Sequence, residues 1–252
     1  KLSFTDTLVN YDDFLADVIK HKQADEYAQG AYWRDGKGCA IGCVLHTFIH
    51  KPDIANALEL DSLNASFYGE HGLFEPLFGI PRILARLQDR IFEGLPSEDA
   101  KLFPLQFAQA LKAGIDYSNV WYKFAEWLLL DTEYGIIRHA KTDRTRDAIV
   151  SVGALYQRHN KGDVPAIKEW HEARDDADDA AAANYTDDAA DVAAAAATAA
   201  AYDATAAAAY DAAAAAAYAA AAAAYAADGY AAKHKRYQAQ RDKFLAIIAA
   251  TS

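Results

Sequence analysis

Residues 191–220 read DVAAAAATAAAYDATAAAAYDAAAAAAYAA, and a similar composition extends over residues 171–232. Alanine makes up 37 of these 62 residues, and most of the others are Asp or Tyr. Alanine is the strongest helix former, because its side chain has no rotamer freedom to lose in a helix. It also buries very little apolar surface. The tract therefore predicts helices that cannot form an ordinary hydrophobic core by themselves.

The tract also carries nearly all of the net charge. Ten Asp, one Glu and one Arg give it a charge of −10, against −11 for the whole chain. Nucleic acids are bound largely through Lys and Arg contacts to phosphate, so this acidic balance argues against a nucleic-acid partner. No uncharged apolar run reaches the roughly 18 residues of a membrane-spanning helix, so we expect no membrane partner either.

Residues 1–170 are richer in large apolar side chains and carry repeated helix signals. Prolines stand at first-turn positions, glycines follow last turns, and apolar residues recur at helical spacing. Asp6 is expected to cap a helix over residues 6–29, and Thr142 one that continues to Gly162. We find no convincing period-2 alternation of a β-strand. The sequence predicts an all-α protein, with a compact multi-helix domain followed by an Ala-rich helical arm or antiparallel helices.

We expect three regions along the chain. Residues 1–170 form the globular helical domain, residues 171–232 the Ala-rich acidic helical region, and residues 233–252 a basic amphipathic helix. That last helix is expected to dock on the main domain through its apolar group of Phe244, Leu245, Ile247 and Ile248. Tyrosine is enriched at protein interfaces. The interface candidates of the tract are Tyr202, Tyr210, Tyr218 and Tyr225.

One compact motif offers chemistry, DGKGCAIGCVLH at residues 35–46. Cys39, Cys43 and His46 are spaced by four and three residues, which places them on one helix face. Thiolate and imidazole groups are good zinc ligands. Ligands strung along one straight helix cannot surround a single ion, however, so a metal site would need further ligands from a second segment.

The same motif allows a nucleophilic interpretation. Cys39 is expected at a helix N-terminus beside Lys37, where the helix dipole and the ammonium group both lower a thiol pKa. His46 or His139 is the candidate base, and Asp35 the acid that orients it. The candidate anion site at the helix start consists of Gly36, Lys37 and Gly38. We favour a structural interpretation, in which small residues allow close helix packing and cysteine is a small buried apolar group.

The motif belongs to a longer pattern. The block GAYWRDGKGCAIGCVL at residues 30–45 is followed by Gly79-Ile-Pro and by LARLQDRIFEGL at residues 84–95. Together these segments resemble a family of uncharacterised bacterial and phage proteins whose members also end in Ala-rich repeats. Relative to that pattern, Leu60–Phe78 reads as an insertion. The resemblance implies a bacterial or phage-linked origin and carries over no catalytic residue.

The sequence therefore predicts a non-enzymatic interaction or structural protein without a cofactor. It would use its Ala-rich helical region for self-association or for binding a protein partner. The alternative is a Cys/His-dependent enzyme or a metal-binding protein centred on residues 35–46. The opening residues lack the basic-then-apolar pattern of a signal peptide, and two cysteines do not make a disulfide framework. We therefore expect a cytoplasmic protein.

Overall fold

A computed structural model describes residues 1–58, 71–183 and 209–251 of the chain. These residues form α-helices joined by short loops, together with a small two-stranded sheet. This confirms the all-α class that the helix signals predict. Within the described residues, no helix combines the length and the apolar character that crossing a membrane requires.

The chain divides into two compact units, the first of which comprises Lys1–Ser118 and Ile248–Ser252. Strands β1 (Trp33–Arg34) and β2 (Lys37–Gly38) pair antiparallel in it, and a short 3-10 helix covers His71–Leu73. Its α-helices are α1 (Tyr11–Gln23), α2 (Ala40–Ile49), α3 (Pro52–Ala57), α4 (Phe74–Phe78), α5 (Arg82–Gly94) and α6 (Ser97–Ala110).

Aromatic rings form the centre of this unit. The ring of Phe14 on α1 lies 4.8 Å from that of Phe78 on α4, measured between centroids, and Phe48 on α2 lies 5.7 Å from Phe78. All three side chains are almost completely buried. Because each such ring buries roughly 150–250 Å², the cluster holds α1, α2 and α4 against one another.

Of the predicted helix caps at Asp6 and Thr142, the structure contradicts the first and confirms the second. Helix α1 begins at Tyr11, not near Asp6, and Asn10 caps it by accepting a hydrogen bond from the backbone N–H of Asp13 at 2.8 Å. Asp6 itself adopts a φ of 50°, outside the helical range. The predicted cap at Thr142 is confirmed, since its hydroxyl oxygen accepts from the backbone N–H of Thr145 at 3.1 Å.

The second unit comprises Asn119–Ile247. A short 3-10 helix covers Ile136–His139 in it. Its α-helices are α7 (Val120–Leu130), α8 (Asp143–Asn160), α9 (Ile167–Ala183), α10 (Ala209–Asp228) and α11 (Tyr230–Ala250, which runs past the unit boundary). Whether residues 1–170, 171–232 and 233–252 fold as separate domains stays a prediction.

Large side chains fix the helices of the second unit. Trp121 on α7 packs edge-on against Tyr156 on α8, with centroids 6.3 Å apart, and Trp170 on α9 lies 4.8 Å from Tyr156. Phe244 on α11 is buried 5.9 Å from Phe124 on α7. The apolar residues near the chain end thus contribute to a packed core.

Eight of the described alanines of the tract are buried in this unit. Helix α9 contacts α8, and α10 contacts both α7 and the 3-10 helix Ile136–His139. The buried alanines are Ala173, Ala177 and Ala180 on α9 and Ala216, Ala220, Ala221, Ala223 and Ala224 on α10. Their spacing of three and four residues places most of them on one face of each helix, where small side chains allow neighbouring backbones to approach closely.

The tyrosines expected at an interface are only partly described. Tyr225 on α10 is exposed. Tyr202 lies outside the described residues, and so do the side chains of Tyr210 and Tyr218, although their backbone belongs to α10. Of the four interface candidates, Tyr225 alone can therefore be placed.

Candidate functional site

A tight β-hairpin leads into α2. Asp35 and Gly36 form its turn, with φ values of 54° and 79°. Two central residues with positive φ define a type I′ turn, for which Asp-Gly is a favoured pair. Sequence reasoning missed these strands because two-residue strands show no alternation. The Asp-Gly pair was the signal that could have revealed them.

The loop before the hairpin lies directly on the start of α2. A Cβ atom at Gly42 would stand 1.6 Å from the carbonyl oxygen of Tyr32, and one at Gly38 would stand 2.2 Å from it. The backbone N–H of Cys39 donates to the carbonyl of Ala31 at 2.8 Å and holds the loop in place. Both glycines are therefore required by backbone contact, in agreement with the structural interpretation of these small residues.

Cys39 is the N-cap of α2. Its Sγ accepts a hydrogen bond from the backbone N–H of Gly42 at 3.3 Å, and the residue is only 4% exposed. Burial, together with the nearby carboxylate of Asp89, raises the pKa of the Cys39 thiol. The lowered pKa expected from the helix dipole and Lys37 is therefore wrong, because the loss of hydration outweighs both effects. Lys37 instead pairs with Asp25 at 3.3 Å.

The other two residues of the predicted cluster, Cys43 and His46, make contacts of their own. The Cys43 thiol donates to the carbonyl of Gly38 at 3.4 Å, and burial raises its pKa. His46 stacks on Trp33, with ring centroids 4.1 Å apart. Burial and the neighbouring His50 lower the pKa of His46. Neither residue joins Cys39 in a group of ligand atoms in the described part of the chain.

The residues of the candidate anion site have other contacts. The backbone N–H of Gly38 donates to the carbonyl of Glu26 at 2.9 Å, and the Lys37 ammonium group pairs with Asp25. Asp35 and Gly36 are exposed at the hairpin turn. Two of the donors expected to hold an anion are thus already used within the protein.

Cys39 lies beside two carboxylates of α5. Single ligand atoms of Cys39, Asp89 and Glu93 all lie within 4.8 Å of one another. Asp89 Oδ2 is 3.1 Å from Nε2 of the buried His71, and Asp89 Oδ1 is buried without a hydrogen-bond partner among the described residues. Glu93 accepts from the backbone N–H of Gly30 at 2.8 Å, while burial raises its pKa. This Cys39–Asp89–Glu93 cluster offers one thiol and two carboxylates to a cation.

A buried histidine forms a second polar group in this unit. His21 Nδ1 faces the Glu26 carboxylate, and Nε2 lies 2.9 Å from the Thr47 hydroxyl and 3.3 Å from an Asp17 carboxylate oxygen. Burial lowers the pKa of His21, but the hydrogen bonds and charges of Asp17 and Glu26 outweigh it, so the pKa is raised overall. The network ties α1 to α2 through the imidazole of His21.

This network predicts how stability depends on pH. Because the pKa of His21 is higher in the folded protein, the network stabilises it fully below the ordinary histidine pKa of 6.5. That contribution is lost as the pH rises through the folded value. Urea unfolding at a series of pH values should show the free energy of unfolding falling across this window.

Two carboxylate variants give the matched comparison. Glu26→Gln, which removes one partner of His21, is expected to reduce the decline, whereas Glu98→Gln on the exposed surface of α6 should keep the wild-type profile. An unchanged profile in Glu26→Gln would mean that the pair with His21 does not set this pH dependence.

Comparisons with protein-family models, curated proteins and solved structures find no match for this chain. The resemblance of residues 30–45 to a bacterial and phage family therefore stays a prediction.

Proposed function

We propose that this chain is a non-enzymatic interaction protein whose Ala-rich helical region associates with a second copy of the chain. The observation that carries this proposal is the two-sided character of α9. Ala173, Ala177 and Ala180 face the packed interior of the second unit. Its opposite side is exposed and acidic, through Asp175, Asp176, Asp178 and Asp179.

The start of α11 offers the complementary charge. Lys235 is exposed and Lys233 is partly exposed there, next to the exposed ring of Tyr230. Tyrosine is enriched at interfaces because its ring contributes contact area at low entropic cost. A surface with separate acidic and basic patches is complementary to a second copy of itself, which supports self-association over an unrelated partner.

The position of Cys39 favours binding over catalysis. A nucleophilic thiol must reach its substrate, but Cys39 is 4% exposed and its sulfur is used as the cap of α2. His46, the candidate base, stacks on Trp33 instead of contacting this thiol. These contacts support a structural role for the motif at residues 35–46.

Charge exchange tests the proposed association. The wild type is expected to self-associate at low salt and to dissociate as salt shortens the screening length from about 10 Å at 0.1 M to about 3 Å at 1 M. Asp176→Lys with Asp178→Lys, or Lys233→Glu with Lys235→Glu, should each give monomers. An equimolar mixture of the two double variants should associate again, as measured by light scattering after size-exclusion chromatography.

The control is a double variant of equal charge change on α1, Lys20→Glu with Lys22→Glu, both at exposed positions. It should associate like the wild type. A wild type that stays monomeric at every concentration and salt, or a mixture that fails to associate, would reject the proposal.

Metal binding is a second candidate function, favoured by the Cys39–Asp89–Glu93 cluster. Thiolate and carboxylate groups bind zinc at about 2.0–2.3 Å, and the three ligand atoms of the cluster all lie within 4.8 Å of one another. A bound cation would satisfy the buried Asp89 Oδ1, and His71 would orient that carboxylate from behind. Elemental analysis of the purified chain tests this function, since absence of stoichiometric metal would argue against it.

A further inference from the structure

A cleft of about 420 Å³ opens in the second unit. Residues near the 3-10 helix Ile136–His139 line one part of it, and the end of α10 and the start of α11 line the rest. Sites for small molecules usually occupy about 300–1,000 Å³. The cleft is therefore large enough for a small organic ligand.

Arg236 is the buried cation of this cleft. It is only 5% exposed, and its Nε is buried without a hydrogen-bond partner among the described residues. Its Nη2 donates to the carbonyl of Leu128 at 3.4 Å, and its guanidinium carbon lies 5.3 Å from the centre of the Trp127 ring. Neither neighbour carries a negative charge. A buried cation without a hydrogen-bonded anion is costly, and Asp131 offsets that cost only through its charge.

Burial lowers the pKa values of two basic groups in the cleft. Burial lowers the pKa of Arg236, although Asp131 opposes this through its charge. Burial also lowers the pKa of His139, and Arg236 and Arg138 lower it further, against the opposing effect of Asp228. At His139 the neighbouring cations add to the effect of burial, whereas at Arg236 the largest effect of a charge is the opposing one of Asp131.

The remaining charged residues of the cleft are at its surface. Arg138 and Lys235 are exposed, and so are the two carboxylates, Glu133 and Asp228. Exposed charges are screened by water and salt, whereas a buried guanidinium group is screened much less. The acidic residues consequently offset the surface cations more than they offset Arg236.

We propose that this cleft binds a small, multiply charged oxyanion, with Arg236 as the buried anchor and Arg138 at the mouth. The ligand class comprises phosphate compounds and polycarboxylates, whose paired oxygens match the fork of donors on a guanidinium group. The cleft shares Lys235 with the basic patch of α11, but the proposal depends on the buried Arg236 and the cavity and not on the exposed acidic face of α9.

Isothermal titration with inorganic pyrophosphate and, separately, with citrate tests the proposal at constant ionic strength. We expect saturable binding of one molecule per chain for at least one of the two, and the preferred anion distinguishes a phosphate from a polycarboxylate ligand. Arg236→Met should abolish binding. Arg138→Gln should weaken it roughly tenfold or more, as the loss of a charge-assisted hydrogen bond does.

The control is Arg144→Gln, an exposed arginine on α8 outside the cleft, which should bind like the wild type. Arg138 is exposed, so its variant tests the site even where loss of the buried Arg236 side chain disturbs folding. Absence of saturable binding to both anions, or equal binding by wild type, Arg138→Gln and a folded Arg236→Met, would overturn the proposal.

Discussion

Replacing Gly42 by alanine is expected to destabilise the first unit by roughly 3 kcal/mol or more, at the upper end of what overpacking costs. The added Cβ would stand 1.6 Å from the Tyr32 carbonyl oxygen. Neither partner in this clash is a flexible side chain. The loop is also held by the hydrogen bond from Cys39 to Ala31. Either the loop must detach from α2 or the helix must move, and both disrupt buried contacts.

Urea unfolding followed by far-ultraviolet circular dichroism measures this loss. The matched control is Gly72→Ala, because a Cβ there would meet only the side chain of Arg82, at an ordinary 3.7 Å. That variant should stay within about 0.5 kcal/mol of the wild type, as surface substitutions usually do. Equal unfolding midpoints for Gly42→Ala and Gly72→Ala would contradict the close approach of Tyr32 to α2.

The fold class could be predicted from sequence because helix signals are local. The cap at Thr142 depends on residues within one turn, and the structure places it as predicted. The cap at Asp6 failed because Asn10, four residues further along the chain, serves the same purpose. The hairpin at residues 33–38 escaped detection because it is too short for periodicity. The feature of the sequence that indicates this hairpin is the Asp-Gly turn pair at residues 35–36, and not a hydrophobic pattern.

The candidate site was harder to predict because its parts meet only through tertiary packing. The sequence singled out Cys39, but not Asp89 or Glu93, which α5 brings to it. The direction of the thiol pKa also depended on burial, which spacing alone does not reveal. The sequence does not single out Arg236 of the cleft either, since this residue differs from the other arginines only through its burial and its neighbours.

Replacing Trp170 by alanine is expected to cost about 3–5 kcal/mol of stability, the usual range for a large aromatic residue in a core. Trp170 is 3% exposed and its ring lies 4.8 Å from that of Tyr156. The other buried residues described on α9 are Ala173, Ala177 and Ala180. A buried methyl-sized group contributes only about 0.8 kcal/mol. The tryptophan is therefore the main anchor of this alanine-rich helix.

Ile167→Ala is the matched control, because Ile167 lies on the same helix but is 61% exposed. It should change the free energy of unfolding by less than about 0.5 kcal/mol. Limited proteolysis should cut residues 171–183 faster in Trp170→Ala than in Ile167→Ala, and equal rates would contradict the anchoring role.

Two variants separate the anchoring of α9 from the association of two chains. Trp170→Ala should lose both stability and association. Asp176→Lys with Asp178→Lys should lose association alone, since those carboxylates are exposed and do not belong to the core.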